Sequence, residues 1–371
     1  FMVVAVTAYG MATFEGPMLS IKSVNAISHY TDWTVGHVHI GTLGWNGMLT
    51  FGVLYWLFPR LYNTKLHSVK LANSHFWIST LGMLFYAIPL YWAGWTQSLM
   101  WKEFTADGFL RYGNFLETVT QIIPMYAMLA GGGAIYLAGV FLMCYNLWKT
   151  AQAGTLVANE TASAPARVLA EAPHKGEHWH RWIERRPIQL LVASTIAILI
   201  GGAVEMFPVM MIEDNVPKIA SVQPYTPLEL EGRDLYIREG CISCHSQMVR
   251  PFRSETERYG EYSKSGEFVY DRPFLWGSKR TGPDLHRLGK KYPDSWHYNH
   301  MLDPETMSPG SIMPPYPWLI DNDLNTDYTA AKVKILRTLG TPYAEGYESI
   351  VEEEMKLQAA TIAESLRKDG I

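Results

Sequence analysis

The chain has 371 residues, 48% of them apolar and 18% charged, with a formal net charge of −4; soluble domains usually carry about 25% charged residues. The shortfall is uneven: residues 1–212 hold 12 Lys and Arg and 10 Asp and Glu, whereas residues 213–371 hold 19 and 25. A membrane half joined to a water-soluble half follows, which excludes a single soluble globule and nucleic-acid binding through a basic domain.

Taken in chain order, Phe1–Phe14 reads as the end of a membrane span. With no initiator Met and no basic leader, it is expected to be the interior of a longer protein and not a signal peptide. Four complete spans follow, near Thr34–Phe58, Phe76–Met100, Ile122–Trp148 and Ile188–Ile212, each meeting the need for about 20 mostly apolar residues. Trp33, Trp56, Trp95, Trp101 and Trp148 mark span ends, where amphipathic rings suit the headgroup level. Cys144 lies alone in an apolar run and is expected to be a small buried side chain. Loop charge orients the spans. Arg60, Lys65 and Lys70 follow the first complete span, and Lys149, Arg167, Lys175, Arg181, Arg185 and Arg186 precede the last. The positive-inside rule therefore puts residues 59–74 and 149–187 in the cytoplasm, and residues 15–33, 101–121 and everything after 213 outside.

The segment HYTDWTVGHVHIGTLGWNGM sets His37 and His39 inside the first complete span. An ionisable side chain in a membrane is expensive and points to function. At about 100° per residue, positions two apart face opposite sides of a helix. Two such histidines suit two separate cofactors better than one shared metal, and neutral imidazole is a common haem-iron ligand. Hydrogen bonding to neighbouring helices would account for either histidine alone. Gly36, Gly41 and Gly44 imply close approach by a neighbouring helix or by a flat macrocycle.

Residues 150–179, rich in Ala, Thr and Pro at first, read as a cytoplasmic linker. Beyond it, residues 180–212 read as a membrane anchor and 213–371 as a water-soluble domain. Here Cys241-Ile-Ser-Cys244-His245 has the spacing of a covalent c-type haem site. A structural zinc site would want a second Cys or Cys/His pair, and the chain has only three cysteines. Gly282, Pro283 and Leu285 resemble the loop of class I cytochromes c whose proline carbonyl fixes the ligating imidazole. Met313, 68 residues after His245 and followed by two prolines, is the leading sixth ligand, with Met248, Met301 and Met307 as competitors by residue type. Closing helices are expected at Tyr328–Leu339 and Ser349–Lys368.

These motifs carry a resemblance. Residues 1–149, through HYTDWTVGHVH, resemble the C-terminal part of the catalytic subunit of a cbb3-type cytochrome c oxidase. From about His180, the motifs GCISCHSQMVRPFRSETERYGEY, FVYDRPFLWGSKRTGPDLHRLG, WHYNHMLDP and SPGSIMPPYPW resemble that oxidase's membrane-anchored mono-haem cytochrome c subunit. The resemblance implies an all-α chain: part of a haem-copper oxidase helix bundle, a single-span anchor and a class I-like cytochrome c domain. It implies that His37 is the catalytic residue, as axial ligand of a high-spin haem b where oxygen binds, and that His39 is an axial ligand of a low-spin haem b. Cys241 and Cys244 would bind haem c covalently, with His245 and Met313 on its iron. His29 and Asp32 would lie near haem propionates. Glu15, expected in the outer loop, would join a proton path or a structural calcium site.

The resemblance further implies a proton-translocating terminal oxidase of the bacterial inner membrane, its cytochrome domain in the periplasm. Its partners would be a multi-haem cytochrome c subunit, soluble or membrane cytochrome c donors, oxygen and lipid. The family also binds copper through three histidines, two of them adjacent. No His-His pair occurs here, so the copper ligands are expected in upstream sequence. Nitric oxide reductase is the alternative enzyme. A membrane-anchored electron-transfer cytochrome would explain residues 181–371 but not His37 and His39.

Overall fold

A computed structural model describes residues 1–156, 178–211 and 217–371. Most of the expected linker, from 157 to 177, and Ile212 at the end of the last expected span lie outside the described residues. The described residues are helical, with two isolated bridges, Tyr30–Lys279 and Phe104–Leu110, in place of any sheet.

The chain divides into two compact units. The first comprises residues 1–157, 223–263 and 270–371. It opens with α1 (Met2–Ser20) and the short α2 (Lys22–Ser28). Next, α3 (Asp32–His39) passes through a π-helical stretch, Ile40–Gly47, into α4 (Met48–Leu61). Thr31 caps α3 by accepting a hydrogen bond from the Trp33 amide. The two long helices are α5 (Val69–Met100) and α6 (Phe115–Gln152), with Ser68 and Asn114 as their N-caps. Length and composition make α1, α5 and α6 membrane-spanning. The α3–α4 run is long enough as well once its π stretch is included.

Two expectations change. Glu15 lies within α1 and not in a loop, because the helix continues through Gly16 and Pro17 to Ser20. Cys144 is exposed on α6, since the outer face of a membrane helix is apolar without being buried in protein. Trp101 does lie at a span end, as the C-cap of α5, where it is buried and stacked on Phe115 at 5.7 Å.

The membrane helices pack through small residues. A Cβ at Gly82 would strike the Tyr136 backbone, and one at Gly132 the backbone of Phe85 and Tyr86, which lets α5 and α6 approach closely. Gly36 faces Leu90 and Tyr91, Gly44 faces Ala8 and Met83, and Gly41 faces Ala12. Helix packing accounts for all three. A core of Ala5, Met48, Phe51, Met143 and Leu147 ties α1, α4 and α6 together.

The rest of this unit is built on α9 (Pro227–Arg238), for which Thr226 and Glu229 form a capping box ahead of Pro227. Short helices α10 (Arg253–Tyr259), α11 (Asp294–Leu302), α12 (Pro304–Met307) and α13 (Trp318–Asp321) follow. The expected closing helices are α14 (Thr329–Thr338) and α15 (Val351–Lys368). Leu230, Val333, Val351 and Met355 form the core that joins α9, α14 and α15.

The second unit comprises residues 158–222 and 264–269. Its described helices are α7 (Trp179–Glu184) and α8 (Pro187–Met211). No side chain of α8 is buried, as an apolar helix of 25 residues with a lipid surround requires.

Candidate functional site

The three histidines expected to bind haem iron each have one ring nitrogen tied down. His37 and His39 both belong to α3. Nδ1 of His37 lies 3.3 Å from Oε2 of Glu15, which also accepts from the Tyr91 hydroxyl at 2.6 Å. The other oxygen of Glu15 accepts from the Trp33 indole at 2.7 Å. Nδ1 of His39 lies 2.8 Å from the Val35 carbonyl, one turn back in its own helix. Its Nε2 meets only a long contact, 3.4 Å from the Tyr86 hydroxyl, and the Tyr86 ring lies alongside at 4.9 Å. The spacing argument thus has a structural counterpart: the two rings serve different surroundings, α1 for one and the middle of α5 for the other. The π-helical stretch begins directly after His39, and such stretches are frequent at functional sites.

Asp32 is 1% exposed and ties α3 to both long helices. Its Oδ2 accepts from Tyr126 at 2.7 Å and from Gln97 at 3.0 Å. Its carboxylate is therefore engaged in positioning the helix start. Both oxygens of Glu15 are taken by donors, and no cluster of three acidic, His or Cys side chains suited to an ion occurs among the described residues. That leaves the expected calcium role of Glu15 without a ligand set.

The third histidine lies in the soluble part. Gly240, with φ +75°, ends α9 and turns the chain into a 3₁₀ turn at Cys241–Ser243. The amides of Cys244 and His245 bond back to the Cys241 carbonyl at 3.1 and 2.9 Å, which sets the two thiols and the imidazole on one short turn. Nδ1 of His245 lies 2.8 Å from the Pro283 carbonyl, so Nδ1–H donates there and Nε2 alone remains for a metal. A Cβ at Gly282 would collide with the His245 ring, and the Gly282 amide donates to the Cys244 carbonyl at 2.9 Å. Burial pushes His245 below the ordinary histidine range, keeping the imidazole neutral as a ligand must be.

Met313 is half-buried in the proline-rich segment. Its amide bonds Ser311 Oγ at 3.2 Å. Three residues on, the Tyr316 amide donates to the Met301 carbonyl at 2.8 Å, and the Tyr316 side chain lies within electrostatic reach of Cys241 and Cys244. The segment therefore runs beside the cysteine pair. Met248 packs instead against Tyr30, Trp101, Phe115 and Val119. His300, which spacing could not single out, lies within electrostatic reach of His245, stacks on Trp296 at 4.5 Å and has a buried Nδ1 without a partner.

Between these centres Tyr30 is fully buried, with φ +69°. Its carbonyl accepts from the Arg280 amide at 2.8 Å, and its hydroxyl donates to the Trp276 carbonyl at 3.0 Å. The Arg280 guanidinium sits 4.3 Å over the ring and pairs with Glu255 at 3.0 Å and Asp284 at 3.2 Å. Further arginines bond backbone carbonyls near the helix ends, Arg258 to Tyr112 and Gly113 and Arg250 to Asn25 and Ala26. Burial would raise the Glu255 carboxyl, but Arg280 and then Arg250 outweigh it and hold Glu255 below the usual range.

The donor sets fit haem iron: three imidazoles, each held through Nδ1, one of them following two thiols at c-type spacing. Comparison with known proteins agrees. Residues 180–371 match the family described as cytochrome C oxidase, mono-heme subunit/FixO, and residues 1–135 match cytochrome C and quinol oxidase polypeptide I. The chain is 55% identical over 150 residues to a cytochrome c oxidase subunit 1 homolog of Agrobacterium tumefaciens, covering 40% of this chain and 28% of that protein. It is 51% identical over 166 residues to cytochrome c oxidase subunit 1 of Rhodobacter capsulatus, covering 44% and 31%. It is 47% identical over 154 residues to the cbb3-type cytochrome c oxidase subunit CcoN1 of Stutzerimonas stutzeri, covering 41% and 32%. The chain thus spans about a third of the length of these relatives. The chain belongs to the mono-haem cytochrome c oxidase subunit (FixO) family, joined in one polypeptide to a segment of cbb3-type oxidase subunit 1.

Proposed function

We propose that the chain is part of a terminal respiratory oxidase, in which α3 stands between two haems and the soluble part receives electrons from cytochrome c. The observation that carries this reading is the divergence of His37 and His39: Glu15 of α1 holds one ring, and the Val35 carbonyl holds the other. When bound, the haems supply one-electron transfer and an iron to which oxygen binds. Cys241 and Cys244 would hold haem c covalently, with Nε2 of His245 and the thioether of Met313 as the donors to its iron. The Pro283 carbonyl keeps the His245 ring in one tautomer and orientation. A thioether opposite an imidazole raises the haem potential, which suits an electron acceptor. His39 would hold a low-spin haem b, supplying electron transfer, and His37 a high-spin haem b, supplying an oxygen-binding iron. Proton translocation accompanies turnover in this reading.

In this reading residues 1–149 are the oxidase segment, 150–179 a cytoplasmic joint, 180–212 the anchor and 213–371 a periplasmic domain in the bacterial inner membrane. Arg60 in the last turn of α4, Lys65 on the α4–α5 connection and Lys70 at the start of α5 support that orientation. Partners are a multi-haem cytochrome c subunit and cytochrome c donors. The test is oxygen uptake by the purified complex with reduced cytochrome c. Uptake with carbon-monoxide-sensitive kinetics is expected; reduction of nitric oxide without oxygen uptake would overturn the reading in favour of a nitric oxide reductase.

A further inference from the structure

Lys279 and Arg280 are adjacent, yet they serve different sides of the chain. Lys279 pairs with Tyr30 in a short parallel bridge, and neighbouring side chains in extended backbone leave it in opposite directions. Arg280 enters the buried cluster of Glu255, Asp284 and Ser246 and is 2% exposed. Lys279 instead lines a cleft of about 610 Å³ together with Val35, Ile242, Phe274, Trp276 and Ser278. The bond from the Arg280 amide to the Tyr30 carbonyl pins this segment in place, so the position of Lys279 over α3 is set by buried groups.

Two features say what the cleft accepts. Its walls are mostly apolar, with the stacked rings of Phe274 and Trp276, 4.4 Å apart, on one side. Its one cation is Lys279, whose ammonium makes no hydrogen bond or ion pair among the described residues. The carboxylate its charge acts on is Asp32, already bonded by Tyr126 and Gln97. An apolar slot with one unspent cation suits the edge of a flat apolar ligand bearing a carboxylate. The cleft also lies on a defined face of α3. Val35 lines it, and the Val35 carbonyl accepts from His39, four residues or about 6 Å further along the helix. His37, by contrast, turns toward Glu15.

We infer that Lys279, with Ser278 beside it, binds a carboxylate of the haem held by His39, so that the haem c-bearing part of the chain supplies a charge to the low-spin haem site. The inference rests on the reading that His39 is that haem's ligand. Lys279 is then a positioning and potential-setting residue. A cation beside a haem carboxylate disfavours the oxidised, more positive iron, so its removal lowers the midpoint potential.

The test is a spectroscopic redox titration of each haem in the assembled oxidase, with Lys279→Met, Lys279→Arg and His39→Ala variants. Lys279→Met should shift the low-spin haem's oxidised-to-reduced equilibrium about tenfold toward oxidised, about 59 mV downward for one electron. Haem c should shift less, and Lys279→Arg should restore most of the change. An unchanged low-spin potential in Lys279→Met, or a larger shift at haem c, would overturn the inference. Retention of the low-spin haem in His39→Ala would instead overturn the reading beneath it.

Discussion

Nδ1 of His37 lies 3.3 Å from a carboxylate oxygen of Glu15, across the interface between α3 and α1. With Trp33 and Tyr91 also donating to that carboxylate, Glu15 is held where it can accept the imidazole N–H and raise the basicity of the other nitrogen. Glu15→Gln should therefore raise the midpoint potential of the carbon-monoxide-binding haem. A change of about tenfold in its redox equilibrium, about 59 mV, is the expected size. Redox titration of the carbon-monoxide-reactive absorption checks it; an equal shift at the low-spin haem would mean a general electrostatic effect.

Met313 is expected to be the sixth ligand of haem c. Met313→His should keep covalent haem, since Cys241 and Cys244 remain, but lower its potential and slow electron entry. The weak near-infrared Met–iron band of the oxidised protein should vanish in this variant and persist in the same substitution at Met248, Met301 or Met307. Its survival in Met313→His, with loss in another variant, would reassign the ligand.

The contacts around Tyr30 should be acid-sensitive through His29. Burial, then the charges of Arg250 and Arg280, push His29 down to about 4 against the opposing charge of Glu255. The folded state thus holds His29 neutral while the unfolded chain protonates it near 6.5. Above 6.5 neither state binds the proton and nothing is lost. Between about 6.5 and 4 the unfolded state binds more protons and stability falls, and below 4 the loss levels off. Protection against hydrogen exchange across residues 276–284, taken relative to the intrinsic exchange rate at each pH, should be lower at pH 5 than at pH 7.5. His29→Asn should flatten that dependence; an unchanged profile in the variant would assign the sensitivity elsewhere.

Arg280 neutralises Glu255 and Asp284 in a site closed to water. Arg280→Met leaves Asp284 without a cation and Glu255 with Arg250 alone, and should cost about 3–5 kcal/mol. Adding Glu255→Gln should recover part of it. Thermal denaturation followed at the haem c absorption measures both, and a Tm unchanged by Arg280→Met would contradict the burial argument.

Much of this was legible in the sequence. The long apolar helices follow from apolar length, and the carbonyl partner of the His245 imidazole from Pro283. What stayed hidden depends on distance or surroundings. Glu15 lies 22 residues before His37, with Gly16 and Pro17 between them resembling a helix end. The helix nevertheless continues to Ser20, and the packing of α1 on α3 brings the carboxylate to the imidazole. Cys144 misled because an apolar neighbourhood means burial in water but not in lipid. The pairing of Tyr30 with Arg280 spans 250 positions of sequence, and a positive φ at a tyrosine has no compositional trace.

The central claim, one helix serving two haems, is tested most directly by reduced-minus-oxidised and carbon-monoxide difference spectra of the complete oxidase carrying His37→Ala or His39→Ala. His37→Ala should lose the carbon-monoxide-binding haem and largely spare the low-spin spectrum, and His39→Ala should do the reverse. Loss of the same single haem in both variants would contradict the account.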